Sequence, residues 1–303
     1  MPLFCRHNRL TANCPICSRD MEAELRSKAP PRARPARTGS ASSTAKRSPS
    51  RARTGAGRSG GVVTRRLARA ADDGYRNPLV PGLRATADAE RLGAALAAAA
   101  ERLRPPGFYP DVAAEPDVEE ATWLAFLLAL AAAPALQEAV LEQRPAWRDG
   151  ELPDLPPERS RTAAAYRAWA ERAGTQAAGF SGEPAWTPQR RFARSFERLA
   201  LPGFARSQRF ELLTGLGAAG TYPLEAGELF LAAADDPTTE AAKRLLVSGD
   251  KLLLERRARE LAEACGVPIA ALDRGLAAWS TPGVPADLAA EVPGSIRTAL
   301  ELG

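Results

Sequence analysis

The chain has 303 residues, 45% hydrophobic and 25% charged, a balance typical of soluble globular proteins. No apolar run reaches the roughly 18 residues of a membrane span, and the opening MPLFCRHNRL has no leader-like hydrophobic core. Both observations predict a cytoplasmic protein, or a nucleoid-associated one if it binds DNA. The net charge of +5 is unevenly placed: residues 25–71 hold 13 Lys and Arg and no Asp or Glu, whereas the chain after Ala71 holds 25 basic and 33 acidic residues, a balance of −8.

Residues 1–24 form the first region. Cys5-x-His7-x6-Cys14-x2-Cys17 supplies three thiolates and one imidazole, the ligand set of a closed structural zinc site. A module this short has no core, so zinc would supply its folding free energy. All four positions would be filled by protein, which argues against a catalytic ion. Free cysteines in a frayed terminus are the alternative. Residues 25–71 follow, rich in Arg, Ser, Pro, Ala and Gly and nearly free of large apolar side chains before Val62. Such a composition predicts a disordered basic linker. As a polycation it would give salt-sensitive, sequence-independent affinity for DNA phosphates. A solubilising linker is the plainer reading.

Residues 72–303 read as an all-α body of eight to ten helices, without sustained period-2 alternation or a solenoid repeat. The first helix covers 89–103. Asp117-x-x-Glu120 opens VEEATWLAFLLALAAA as a capping box, and the density of apolar residues there predicts the most buried helix. A third helix starts at Ser160 and ends at Gly174. Thr187-Pro188 pairs an N-cap with proline at the first helical position, ahead of QRRFARSFERLAL. Further helices are predicted at 206–216, 225–234, 238–247, 250–265 and 268–279. Cys265, in AEACG, reads as a small buried apolar residue.

The stretch LPGFARSQRFELLTGLGAAGTYPLE, residues 201–225, contains a tight Leu201-Pro202-Gly203 turn between two helices. In such a hairpin the backbone N–H groups and the next helix N-terminus point at one phosphate, with Arg206 and Arg209 near enough to add charge. The stretch resembles the helix–hairpin–helix DNA glycosylase superfamily. The family pattern is L-P-G-hydrophobic-G, then a helix, then about 20 residues later an Asp after a Pro-hydrophobic step. Here Leu201-Pro202-Gly203-Phe204-Ala205 is followed by Tyr222-Pro223-Leu224-Glu225. The resemblance implies DNA contact through Pro202, Gly203, Phe204, Ala205, Arg206, Ser207 and Arg209, and a catalytic carboxylate at Glu225. Ala205 stands where the family has a second glycine, Glu225 where it has aspartate, and Ser207 where strand-cleaving members carry a lysine. The last departure implies a monofunctional member.

Three further segments, PAWTPQRRFARSFERL, ADDPTTEAAKRLLVSGDKLLLERRARELAEACGVP and ALDRGLAAW, resemble the α-glutamyl/putrescinyl thymine pyrophosphorylase family, in its third clade, over about residues 75–290. That resemblance implies action on hypermodified thymine in DNA, with an amine displacing pyrophosphate from a base methylene. Pyrophosphate displacement needs cations at the leaving group and a carboxylate to take the amine proton. Base excision needs a carboxylate near the sugar and an extruded base. Glu225, Glu228, Asp235, Asp236, Lys243, Arg244 and Asp250 fall within 26 residues, and Glu225, Asp236, Lys243 and Asp250 are the candidate catalytic set. Each has a plainer reading: Asp236 and Asp250 as N-caps, Lys243-Arg244 as a solvated face, Glu225 as a helix start. Asp273, Trp123 and Trp279 read as packing or capping residues, and Tyr222 as a core residue or a stacking platform. The body has no histidine, which excludes Ser–His and Cys–His nucleophiles, and no P-loop motif is present. A non-catalytic DNA-binding adaptor is the rival from a different class, favoured by the acidic body and by Ala205.

Overall fold

The computed structural model describes residues 70–150, 155–232, 236–281 and 291–303. The proposed zinc ligands Cys5, His7, Cys14 and Cys17 and the basic segment 25–69 lie outside the described residues, as does Asp235. Among the described residues there are twelve helices and no strand, and all of these residues belong to one compact unit. No helix there is long and apolar enough to cross a membrane.

Two hydrophobic cores are built from different materials. The first surrounds α3 (Val118–Ala131), with α2 (Pro110–Ala114), α4 (Pro134–Gln143), α5 (Pro157–Ala173), α6 (Gln176–Ser181), α7 (Pro188–Arg198) and α8 (Arg206–Ala218). It is aromatic: the Phe126 and Tyr166 rings stack with centroids 3.8 Å apart, and Trp123 and Phe204 flank Phe126. As its composition predicts, α3 is buried nearly all round. The second core is made of Leu and Ala. It joins α1 (Thr86–Arg102), α9 (Pro237–Leu246), α10 (Lys251–Cys265), α11 (Ile269–Ser280) and α12 (Gly294–Ala299). Cys265 is buried in it as expected, and burial pushes its thiol up to about 11.

Where a helix start is written locally, the structure follows it. Asp117 accepts from the N–H groups of Glu119 and Glu120, Thr187 from that of Arg190, and Asp250 from that of Leu253. The capping box at Asp117 is only half formed, because the Glu120 carboxylate accepts from Trp147 N–H instead, at 2.7 Å. Ser160 does not start α5. The helix begins at Pro157, and the Ser160 hydroxyl donates back to the Leu155 and Pro156 carbonyls. Four short helices, α2, α4, α6 and α12, were not expected. Two of them begin at Pro110 and Pro134, prolines that serve as first helical residues rather than breakers.

The helix expected at 225–234 does not form over the described residues 225–232. The buried Glu255 carboxylate on α10 captures this backbone. Its two oxygens accept from Leu229 N–H at 2.8 Å and Leu231 N–H at 2.9 Å, and Phe230 between them has φ +53°. Two charge-assisted bonds to the chain outweigh its weak helical preference there.

Candidate active site at the seam between the cores

Helices α7 and α8 are joined through a tight turn in which Phe204 N–H donates to the Leu201 carbonyl at 3.1 Å. Gly203 is required: its φ is +76°, and a Cβ there would meet the Thr162 hydroxyl at 2.5 Å. That hydroxyl donates to the Pro202 carbonyl at 2.9 Å, tying the turn to α5. Ala205 precedes α8 with extended backbone, and its N–H donates to the Gln208 side chain at 2.9 Å.

The structure separates the predicted DNA-contact residues into two groups. Pro202, Gly203, Ala205 and Ser207 are exposed. Phe204 is buried against Phe126. Arg206 is corrected: it is only 5% exposed and points inward, so it does not face a phosphate. Its guanidinium lies 2.5 Å from Asp273 and 3.8 Å from Asp236, donates to the Leu229 and Phe230 carbonyls, and covers the Phe210 ring. Arg209 is half-buried. It covers the Phe196 ring at 4.3 Å and donates to the Phe196 carbonyl at 3.1 Å. The exposed cations of the hairpin are instead Arg190, Arg194 and Arg198 on α7, with Arg190 and Arg198 both reaching over Trp186.

The candidate carboxylates do not share one place. Glu225 is exposed on a loop, accepts from Gln189 at 2.8 Å, and lines neither of the two cavities described below. Asp250 is an exposed N-cap of α10. Lys243 pairs with Glu240 at 2.9 Å on the outer face of α9. Asp236 is buried; it caps α9 by accepting from Thr239 N–H and hydroxyl, at 2.8 and 2.7 Å, and faces Arg206. The capping readings of Asp236 and Asp250 therefore describe their contacts. Trp123, Trp279 and Tyr222 are core residues: Trp279 donates to the Asp88 carbonyl, and the Tyr222 hydroxyl pairs with that of Thr122.

A different group of polar side chains meets at the seam between the cores. One cavity of about 310 Å³ is bounded by the faces of α1, α8 and α11, and a second of about 620 Å³ shares Arg102, Glu211 and Arg274 with it. These sizes suit a small-molecule or base-sized ligand. Ser207, Phe210, Glu211 and Thr214 follow helical spacing along α8, so one face of that helix looks into the first cavity. Glu211 Oε1 accepts from the Tyr109 hydroxyl at 2.8 Å. One edge of the Tyr109 ring packs against Gly215, where a Cβ would come within 2.7 Å of it, so only glycine allows this approach. Burial raises the Glu211 carboxyl above its ordinary range, against the opposing pull of Arg274 and the Tyr109 bond. Burial and the neighbouring Glu211 together push the Tyr109 hydroxyl well up. Burial raises Asp273 too, with Arg206 opposing. The Thr214 hydroxyl, buried at the cavity wall, has no hydrogen-bond partner.

Chemically, this is a carboxyl held by one donor, next to cations and partly withdrawn from water, which is the arrangement of a tuned acid or base. The sequence reading passed over Glu211, Tyr109, Arg102, Arg274 and Thr214. A local signal existed for two of them: ALDRGLAAW places Asp273-Arg274 inside an apolar helix, and Glu211 follows Ser207 by one turn. Comparison with protein-family models, with curated proteins and with solved structures finds no match for this chain.

Proposed function

We propose that this chain is a DNA-base-processing enzyme in which the 201–205 hairpin holds the backbone and the seam receives the base. The observation that supports this most is that one helix serves both ends. Helix α8 starts at the exposed turn and, one turn past the exposed Ser207, presents Glu211 to the cavity. A backbone held at that helix N-terminus would bring an extruded nucleotide close to the carboxyl. Arg190, Arg194 and Arg198 supply the positive charge that Arg206 does not.

In this reading Glu211 takes the role expected of Glu225. For glycosidic excision it would activate water or stabilise positive charge on the sugar; for modification of a hypermodified thymine by pyrophosphate displacement it would accept a proton from the incoming amine. Tyr109 fixes its orientation. The N-terminal cysteines and histidine would hold one structural zinc, and the basic linker would add salt-dependent affinity.

The test is full-length protein with duplex DNA, normal or carrying modified thymine, read by mass spectrometry for released or altered base. Wild type is expected to act, and Glu211→Gln to lose about a hundredfold or more of the rate, the usual scale for a positioned acid or base, while Glu225→Gln stays within a few-fold. The acidic body and Ala205 favour a second reading, a DNA-binding adaptor without catalysis. Duplex binding with no base chemistry in the wild type would establish the adaptor.

A further inference from the structure

Two arginines line both cavities at the seam. Arg274, on α11, sits over the Phe108 ring at 3.9 Å and is half-buried. Arg102, at the end of α1, lines the same two cavities. Among the described residues neither has a hydrogen-bond acceptor or a carboxylate within ion-pair distance. The other acids lining these cavities are already engaged: Asp273 with Arg206, and Asp111 with Arg144. Glu211 is held by Tyr109 and stands outside ion-pair reach of both arginines. Their guanidinium nitrogens are not sealed from water, so the oxygens of a ligand in the cavity can reach their N–H donors. A guanidinium braced on an aromatic ring, with a second one lining the same cavities, is suited to recognition of a tetrahedral oxyanion.

We infer that Arg102 and Arg274 form a phosphoryl-binding subsite in the cleft. The subsite deepens the reading of this cleft as the place of reaction, by giving the substrate or co-substrate a phosphoryl group. Two sources share this chemistry, a free phosphate or diphosphate and a phosphodiester of the DNA itself.

The experiment uses the full-length chain, so the basic linker contributes equally to every variant. Calorimetric titration and melting temperature are measured with inorganic phosphate, with diphosphate and with a short oligonucleotide, against sodium chloride at matched ionic strength. Wild type is expected to bind diphosphate saturably and to melt higher with it. Arg102→Gln and Arg274→Lys are each expected to weaken that affinity about tenfold or more, the scale of one charge-assisted contact. Arg102 is exposed, so its substitution leaves the fold intact and its melting temperature in sodium chloride serves as the control. Weakened oligonucleotide binding in both variants, with no diphosphate binding by the wild type, assigns the subsite to the DNA backbone. Unchanged affinities for all three probes in both variants overturn the subsite. A wild type that performs no base chemistry yet binds diphosphate through both arginines brings down the proposed reaction and leaves the subsite standing.

Discussion

The seam between the cores has two ends that use arginine in opposite ways. At the closed end Arg206 is surrounded by acceptors: Asp273 at 2.5 Å, Asp236 at 3.8 Å and two backbone carbonyls. At the open end Arg274 and Arg102 line a cavity and, among the described residues, have no hydrogen-bond acceptor. The closed end ties α8 to α9, α11 and the 225–232 loop, so it belongs to the fold. The open end keeps its guanidiniums clear of the fold's own hydrogen bonds and within reach of a ligand in the cavity.

Breaking the closed end gives the largest expected effect. Arg206→Met leaves Asp273 and Asp236 buried without their cation and should cost about 3–5 kcal/mol in denaturant unfolding. Arg206→Met combined with Asp273→Leu should recover part of that loss, since an apolar pair of similar volume often replaces a buried ion pair at little cost, while the buried Asp236 still lacks its cation. If the single variant unfolds like the wild type, the closed end is not what joins the two cores.

Arg274→Leu sharpens the contrast. It removes a stacked cation whose charge opposes the burial of Glu211 but which forms no ion pair among the described residues, so its stability cost should stay at about 1–2 kcal/mol, the scale of a partly desolvated cation–ring contact. A loss equal to that of Arg206→Met, measured under the same conditions, would mean that both ends are structural.

The smallest effect concerns pH. The Glu211 carboxyl faces Tyr109, Arg102, Arg274 and Asp273, and the sum of burial and these neighbours raises it in the folded state. A carboxyl raised on folding contributes stability that is fully present below its ordinary value of 4.5 and is lost as pH rises through the folded value. Glu211→Gln removes that loss and keeps an oxygen for the Tyr109 hydroxyl. The variant should therefore melt slightly higher than wild type at pH 8, and the gap should close as pH falls below 4.5. Parallel melting curves across this range would show that Glu211 is not raised.

The sequence by itself determined what is settled within a few residues. Helical class follows from apolar spacing, and the starts at Asp117, Thr187-Pro188 and Asp250 follow from side chains that bond N–H groups two or three positions on. The tight turn at Gly203 is likewise legible, because it needs a positive φ. Tertiary structure decided the rest, because those groups are partnered from far along the chain. Glu255 holds residues 229–231 and cancels the helix that local propensity favours. Arg206 looks like a surface cation beside an exposed turn until Asp273, 67 positions away, draws it inward. Glu211 gains its setting from Tyr109, 102 positions upstream, while Glu225, at the expected spacing, meets only Gln189 and solvent. Spacing along a chain can place a carboxylate on a helix or a loop. Only the packing of the two cores determines which carboxylate loses water and acquires neighbours, and burial and neighbours are what change its chemistry.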